Sequence, residues 1–323
     1  MLASNAFYGH REILNAYAGV PSGTPVPGHL QHGWNHDLGT SVDGVLSSAP
    51  EPFFLWSERN LRNCRDAGLG QSVAPLGAPF LYMPPSTEAV APEPGSLLVM
   101  PFHGWEKERI GHDFREYAAM IRDVARDFRR IIVCLYWHDM QFPEYRRPFE
   151  ELGAEVLTIG NRDGNPRFLF DMRRLMLHCE YVTANRVQTA GFYALALGRK
   201  FFVYGPAMGL DKSIDRSGQL FHAWQKQEFP HLLWETFGDV CHKETGEREL
   251  GLEFKRDPDA LRELFLWEPR RRAELERRVG SFRRRAEHER RAAKLQRWRR
   301  RVERLVPRSC ARVLRAVVAG KLR

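Results

Sequence analysis

The sequence predicts an α/β protein with two Rossmann-like halves (a GT-B-like pairing), the first half small, followed by a basic helical tail. Three observations point there. Residues 96–206 alternate short apolar runs with amphipathic stretches, which is the rhythm of a parallel sheet with crossover helices. The string PPSTEAVAPEP at 84–94 has the prolines of a linker and separates that region from shorter apolar runs before it. From residue 269 the chain is mostly Arg, Glu, Ala and Leu. The expected boundaries are therefore 1–83, a linker at 84–94, 95–268, and a tail at 269–323.

In chain order, residues 4–19 suit a short helix with Ile13, Leu14 and Tyr17 on one side. A loop rich in Pro and Gly leads to His29-Leu30-Gln31-His32-Gly33-Trp34. Residues 42–46 and 53–57 are of strand length, 58–67 suits a helix stopped at Gly68, and 73–82 returns to strand and turn. After the linker, SLLVMP (96–101) reads as a strand buried on both faces, RIIVCLY (130–136) as a second buried strand, and 155–159, 180–183 and 200–204 as further strands. The stretches 113–128, 143–152, 167–178 and 189–197 read as the helices between them, because apolar residues such as Phe114, Tyr117, Ile121 and Val124 recur every three or four positions. Asp257-Pro258 then suits the start of another helix.

The net charge of +9 belongs to the tail. Residues 269–323 hold 21 basic and 5 acidic side chains, and the remainder of the chain holds 28 and 35. A body at −7 without a recognisable nucleic-acid module argues against nucleic-acid binding. In the tail, Leu295, Trp298, Val302 and Leu305 fall on one helical side among arginines, which suits a helix lying on an anionic membrane surface. No apolar run reaches 18 residues, the start carries no secretory pattern, and five scattered cysteines (Cys64, Cys134, Cys179, Cys241, Cys310) form no CxxC pair. These features point to a cytoplasmic protein with reduced thiols, peripheral at the inner face of the membrane.

In doubly wound sheets, ligands bind beyond the carboxyl ends of the strands. That rule selects His103 after the first strand of the second half, His138 after the next, and residues 160–165 (GNRDGN) with Asn161 and Asp163. It also selects residues 183–189, which include Asn185, and Gly205-Pro206. Histidines at strand ends suit hydrogen bonds to phosphate. Gln188-Thr189 opens a helix whose N-terminus can cradle a phosphate, although a threonine there also serves simply as a cap. In the first half, His29, His32, His36 and Asp37 crowd nine residues, so one neutral histidine could act as a general base. There is no GxGxxG, P-loop, HExxH or GxSxG, and Asp257-Pro258-Asp259 reads as a helix start, so neither metal nor cofactor is expected.

His29-Leu30-Gln31-His32-Gly33-Trp34, with Pro75-Leu76-Gly77-Ala78-Pro79-Phe80-Leu81-Tyr82 closing the first half, resembles the two-Rossmann-domain (GT-B) glycosyltransferases. Within them it resembles the bacterial capsule and teichoic-acid transferases, including CDP-glycerol glycerophosphotransferases. Those carry a His-Gly pair whose histidine is the base, matched by His32-Gly33. They carry a histidine after a strand of the second domain, matched by His138, with Asp139 where the family has proline. Their Ser-Ser pair at a helix start contacts the donor phosphate, and Gln188-Thr189 stands in that place. One hydroxyl thus replaces two, and Asn185-Arg186 replaces the usual acidic residue before it.

The resemblance implies an inverting, metal-independent transfer of a sugar or polyol phosphate from a nucleotide-activated donor to a glycan or lipid-linked cell-surface acceptor. His32 would deprotonate the acceptor. His138, Thr189, His103 and Gln188 would hold the donor phosphates, and Asn161, Asp163, Asn185, His36 and Asp37 would lie near the nucleoside or acceptor. Two alternatives stay open: a non-catalytic nucleotide-sugar-binding protein of the same fold, and, on the strength of the tail alone, a nucleic-acid binder.

Overall fold

The computed structural model describes residues 3–42, 45–46, 52–69, 73–86, 90–106, 110–111, 113–163, 165–209 and 216–267. The tail expected at 269–323 lies outside them. The helix expected over 4–19 is broken into 3-10 turns at Ala3–Gly9 and a helix α1 (His10–Tyr17), with Tyr8 at φ 58°. Tertiary contact overrides helix continuity here. The Tyr8 N–H donates to the Arg162 carbonyl at 2.9 Å, and the Tyr8 ring lies 5.1 Å from that of Phe168.

Strand β1 (His29–Leu30) opens the first sheet. Next, β2 (Ser41–Val42) and β3 (Val45–Leu46) form an antiparallel pair, so the one strand expected across 42–46 is two. Then come β4 (Phe53–Leu55), helix α2 (Glu58–Asp66) and β5 (Val73–Pro75). β1, β4 and β5 pair in parallel in that order. Phe53, Leu55, Leu61 and Cys64 form the core beneath them.

The second sheet is built from β6 (Glu93–Val99), β7 (Arg130–Cys134), β8 (Glu155–Leu157), β9 (Cys179–Ala184) and β10 (Lys200–Val203). Helices α3 (Phe114–Ala125), α4 (Pro143–Glu151), α5 (Phe168–His178) and α6 (Thr189–Ala196) connect them. All pairs are parallel, in the order β8-β7-β6-β9-β10. The winding therefore reverses between β6 and β9, the switch point at which such sheets open a crevice. Asp113 starts α3 by accepting a hydrogen bond from the Arg115 N–H at 2.8 Å. Phe114, Tyr117 and Ile121 of α3 then pack on Leu97, Val99, Val133 and Phe202. Each such side chain, fully buried, contributes about 1.5–3 kcal/mol.

The proline-rich string does not stay clear of the sheet: β6 starts at Glu93, so Pro94 lies inside a central strand. The pairing of β6 with β9 shifts register between Glu93 and Leu97, and side chains take over the ladder there. Glu180 accepts from the Gly95 N–H at 2.7 Å, and the Ser96 hydroxyl accepts from the Glu180 N–H at 3.0 Å. A missing proline N–H therefore leaves no gap.

Three more helices follow: α7 (Arg216–Glu228), α8 (Lys243–Leu250) and α9 (Pro258–Leu264). Neither α7 nor α8 is expected from the sequence. α8 packs on α6 through Gly246, where a Cβ would sit 2.6 Å from Leu195 Cβ. The chain divides into a compact unit, Met1–Leu261, which holds both sheets, and a second unit, Arg262–Arg323, described only as far as Trp267.

Candidate active site

Beyond the carboxyl ends of β6, β7, β8 and β9 lies a cavity of about 350 Å³. Its walls are the loops that the strand-end rule selects: Met100 to His103 after β6, Leu135 to Trp137 after β7, Thr158 to Gly160 after β8, and Arg186 to Ala190 leading into α6. The far wall comes from the first half of the chain, with Tyr8 and the residues His32 to His36 that follow β1. Aromatic and aliphatic side chains dominate the lining, and none of the lining residues is Asp or Glu. Among the described residues no group of three or more His, Cys, Asp or Glu could hold a metal ion.

The loop after β1 is fixed from beneath. Gln31, buried, accepts from the Trp56 N–H at 2.8 Å and donates to the Gly33 carbonyl at 2.9 Å and to Asn60 Oδ1 at 3.1 Å. Asn60 in turn donates to the carbonyls of Asn35 and Asp37, at 2.8 and 2.7 Å. Buried amides with every group matched hold a single loop conformation. From above, the Trp34 N–H donates to Thr189 Oγ1 at 2.9 Å, and its indole N–H donates to Glu249 at 3.0 Å. Glu249 is also the partner of Arg59, which bonds both its oxygens at 2.8 and 2.9 Å. Gln188 Nε2 donates to the Met100 carbonyl at 2.7 Å, joining the start of α6 to the end of β6 across the switch point.

Three histidines face this space. His32 lies between the rings of Phe7 and Tyr8, at 5.2 and 5.0 Å. Burial first, then the charges of Arg162 and His103, push it down to about 3, so it is a neutral imidazole at ordinary pH. His103 stacks on Tyr136 at 4.4 Å, and its Nδ1 lies 2.6 Å from the Gly104 carbonyl, which places the proton on that nitrogen. Burial holds His103 below the ordinary histidine range. His36 meets Phe221 and Trp224 at 5.0 and 5.1 Å, and the partial withdrawal of its ring from water against them is the first cause that lowers it. His32, His103, His36, Gln188 and Thr189 are thus brought to one cavity.

His138, Asn161, Asp163, Asn185, Asp37 and His29, also selected from the sequence, are not among its lining. His138 precedes a 3-10 turn, Asp139–Gln141, with its ring 5.1 Å from that of Phe142. Asn161 accepts from the Asp163 N–H at 2.8 Å, and Asp163 pairs with Arg162 at 3.2 Å, with Asn161 and Asp163 both exposed. Asn185 is fully buried and braces the switch point, accepting from the Phe102 N–H at 2.8 Å and donating to the Pro206 carbonyl at 3.1 Å. Asp37 is exposed beside His36, and His29 stacks on Phe53 at 4.6 Å within the first sheet. Tyr8 is not singled out from the sequence, whereas Arg162 and Arg186 lie within the windows 160–165 and 183–189 without being named as site residues. Arg162 donates to the Tyr8 hydroxyl at 3.1 Å, and the Arg186 guanidinium stands over the Phe221 ring.

No family model matches the chain, and no curated protein matches it. Solved structures do, 16 chains in all. One is a Staphylococcus aureus MnaA–UDP co-structure, at 10% identity and a TM-score of 0.35, covering 64% of this chain and 61% of that one. Another is the wall teichoic acid polymerase TagF, at 11% identity and a TM-score of 0.32, covering 74% of this chain and 58% of that one. The chain thus spans about three fifths of the length of each. The α/β class with two parallel sheets, the first small, follows from the strand pairing itself.

Proposed function

We propose that the chain is a glycosyltransferase of GT-B-like type, moving a sugar or polyol phosphate from a nucleotide-activated donor to a cell-surface glycan acceptor. The observation that carries this reading is the cavity at the switch point, whose lining among the described residues holds no carboxylate, with His32 on one wall and Thr189 at the start of α6 on the other. A wall without acids does not repel a diphosphate, and the positive end of a helix favours one. Thr189 Oγ1 accepts from Trp34 and still has its own proton to donate to a phosphate oxygen. His103, with Nδ1 committed to Gly104, presents Nε2 as an acceptor when neutral and as a second donor when protonated. His32, neutral and without a hydrogen-bonded partner among the described residues, is the base for the acceptor hydroxyl, and charge developing on the departing nucleotide meets fixed dipoles. His138, outside the lining, receives no role.

A thermal-shift series with UDP, GDP, CDP, CMP and dTDP tests donor binding. Nucleotide release from the matching nucleotide sugar, in the intact protein and in His32→Ala, then tests transfer. Binding without any His32-dependent release supports the second reading, a non-catalytic nucleotide-sugar binder, which the three-stranded first sheet favours.

The tail completes the proposal as an anchor to anionic membrane. No helix among the described residues is long and apolar enough to cross a membrane. Co-sedimentation with anionic vesicles of the full chain, compared with one ending at residue 293, decides the matter. Equal behaviour of the two rejects the anchor.

A further inference from the structure

Arg186 is the second residue beyond β9, and its guanidinium lies over two aromatic rings. The Phe221 centroid lies 3.6 Å away and the Phe102 centroid 4.4 Å away. Phe102 belongs to the loop after β6 and Phe221 to α7, so three separate elements converge on this cation. It lines the cavity, and among the described residues no carboxylate or carbonyl bonds to it. Burial draws it down to about 10, which leaves it charged at neutral pH.

Its titratable neighbours are bases. His36, on the loop after β1, is lowered by burial and, beyond the opposing effect of exposed Asp37, by the charges of Arg186 and Arg59. His222, on α7, has Nε2 3.1 Å from the Asn185 carbonyl and is lowered by burial and then, beyond that contact, by Lys226 and Arg186. A cation withdrawn from water without a counter-ion is costly, and natural folds keep such groups where a ligand completes them. A guanidinium that lies over aromatic rings keeps its N–H edge for an oxyanion.

We infer that Arg186 is a ligand clamp that takes an oxyanion, phosphate or carboxylate, of the molecule bound in this cavity. The identity of that molecule rests on the transfer reading, whereas the anion site rests on Arg186 and its surroundings alone.

The test is calorimetric titration of the full chain and of Arg186→Gln with UDP, CDP, GDP and dTDP, their nucleosides, inorganic pyrophosphate and glucuronate. We expect a charged probe to bind, and Arg186→Gln to weaken it by about 10- to 100-fold while leaving nucleoside affinity unchanged. The ligand-free variant should melt no lower than the parent, because an unpaired cation has been removed, a result that a purely structural arginine would not give. Equal affinity of the two proteins for the charged probe overturns the clamp, as does failure of every charged probe to bind. Pyrophosphate or glucuronate binding that needs Arg186, without binding of any nucleotide, upholds the clamp and rejects the nucleotide reading. Should the variant not fold, phenylglyoxal labelling of the unaltered protein answers the question: Arg186 must be shielded by the bound probe, and labelling at an unchanged rate overturns the inference.

Discussion

The Trp34 N–H and the Thr189 hydroxyl oxygen, 155 residues apart and 2.9 Å from each other, join the loop after β1 to the first residue of α6. Gly33 permits the approach, since a Cβ there would lie 3.0 Å from that same oxygen. Thr189→Val keeps the shape of the side chain and removes the acceptor, stranding a half-buried N–H. We expect a loss of about 1–3 kcal/mol in urea denaturation, with Thr189→Ser close to the parent. Equal stability of the valine and serine variants contradicts the role given to this bond.

Glu249 is tied to both halves of the molecule. Its side chain is 3% exposed and holds Arg59, itself 11% exposed, in a two-pronged ion pair, while Trp34 donates to it as well. Removing Glu249 leaves Arg59 with one carboxylate, the half-exposed Glu228 at 2.8 Å, and strands the Trp34 indole N–H. Glu249→Leu is expected to cost about 1–3 kcal/mol, and adding Arg59→Met to recover part of that. Additive costs in the double variant, read by urea denaturation, contradict the coupling.

Acid sensitivity follows from buried histidines. Burial, with the charge of His32 adding to it, holds His10 at about 3, and His32 stands at about 3 as well, both against an ordinary 6.5. Between pH 6.5 and 3 the unfolded chain therefore binds more protons than the folded one. The stability these two sites support is complete above pH 6.5 and is lost as pH falls, by about 2 kcal/mol per histidine at pH 5. His10→Phe removes one such site, so the difference in stability between pH 7.5 and pH 5 should shrink by about 2 kcal/mol. An unchanged difference means that His10 titrates normally.

The second sheet was legible because strands buried on both faces, such as residues 96–99 and 130–134, stand out as continuous apolar runs. The loops of the cavity were legible for the same reason, as they follow those strands. The helices α7 and α8 were not. α8 reads KETGEREL, polar with a glycine inside, and it is helical because Gly246 lets it nest against α6. Arg186 was equally hidden: an arginine in a loop normally reads as solvated, and what sets this one apart is Phe102 and Phe221, 84 and 35 positions distant in sequence. His138 shows the converse, a strand-end histidine that the chain turns aside into a 3-10 turn.

Turnover separates the two walls of the cavity. His32→Ala should lower nucleotide release by about 10²–10⁴-fold while donor affinity stays near that of the parent. With Arg186 and the start of α6 neutralising the donor, release should also survive EDTA. Loss of activity on chelation, restored by Mg²⁺ or Mn²⁺, contradicts the metal-independent reading.

The central claim is a location: the nucleotide sits beyond the carboxyl ends of β6 to β9, against the loop that follows β1. Photo-crosslinking with an azido-nucleotide of the base preferred in the thermal-shift series, followed by peptide mapping, measures that location. We expect saturable labelling, competed by the unmodified nucleotide, within the loops after those five strands, at residues 32–36, 100–105, 134–138, 158–162 or 185–193. Competable labelling confined to other parts of the chain, or no competable labelling at any concentration, contradicts it.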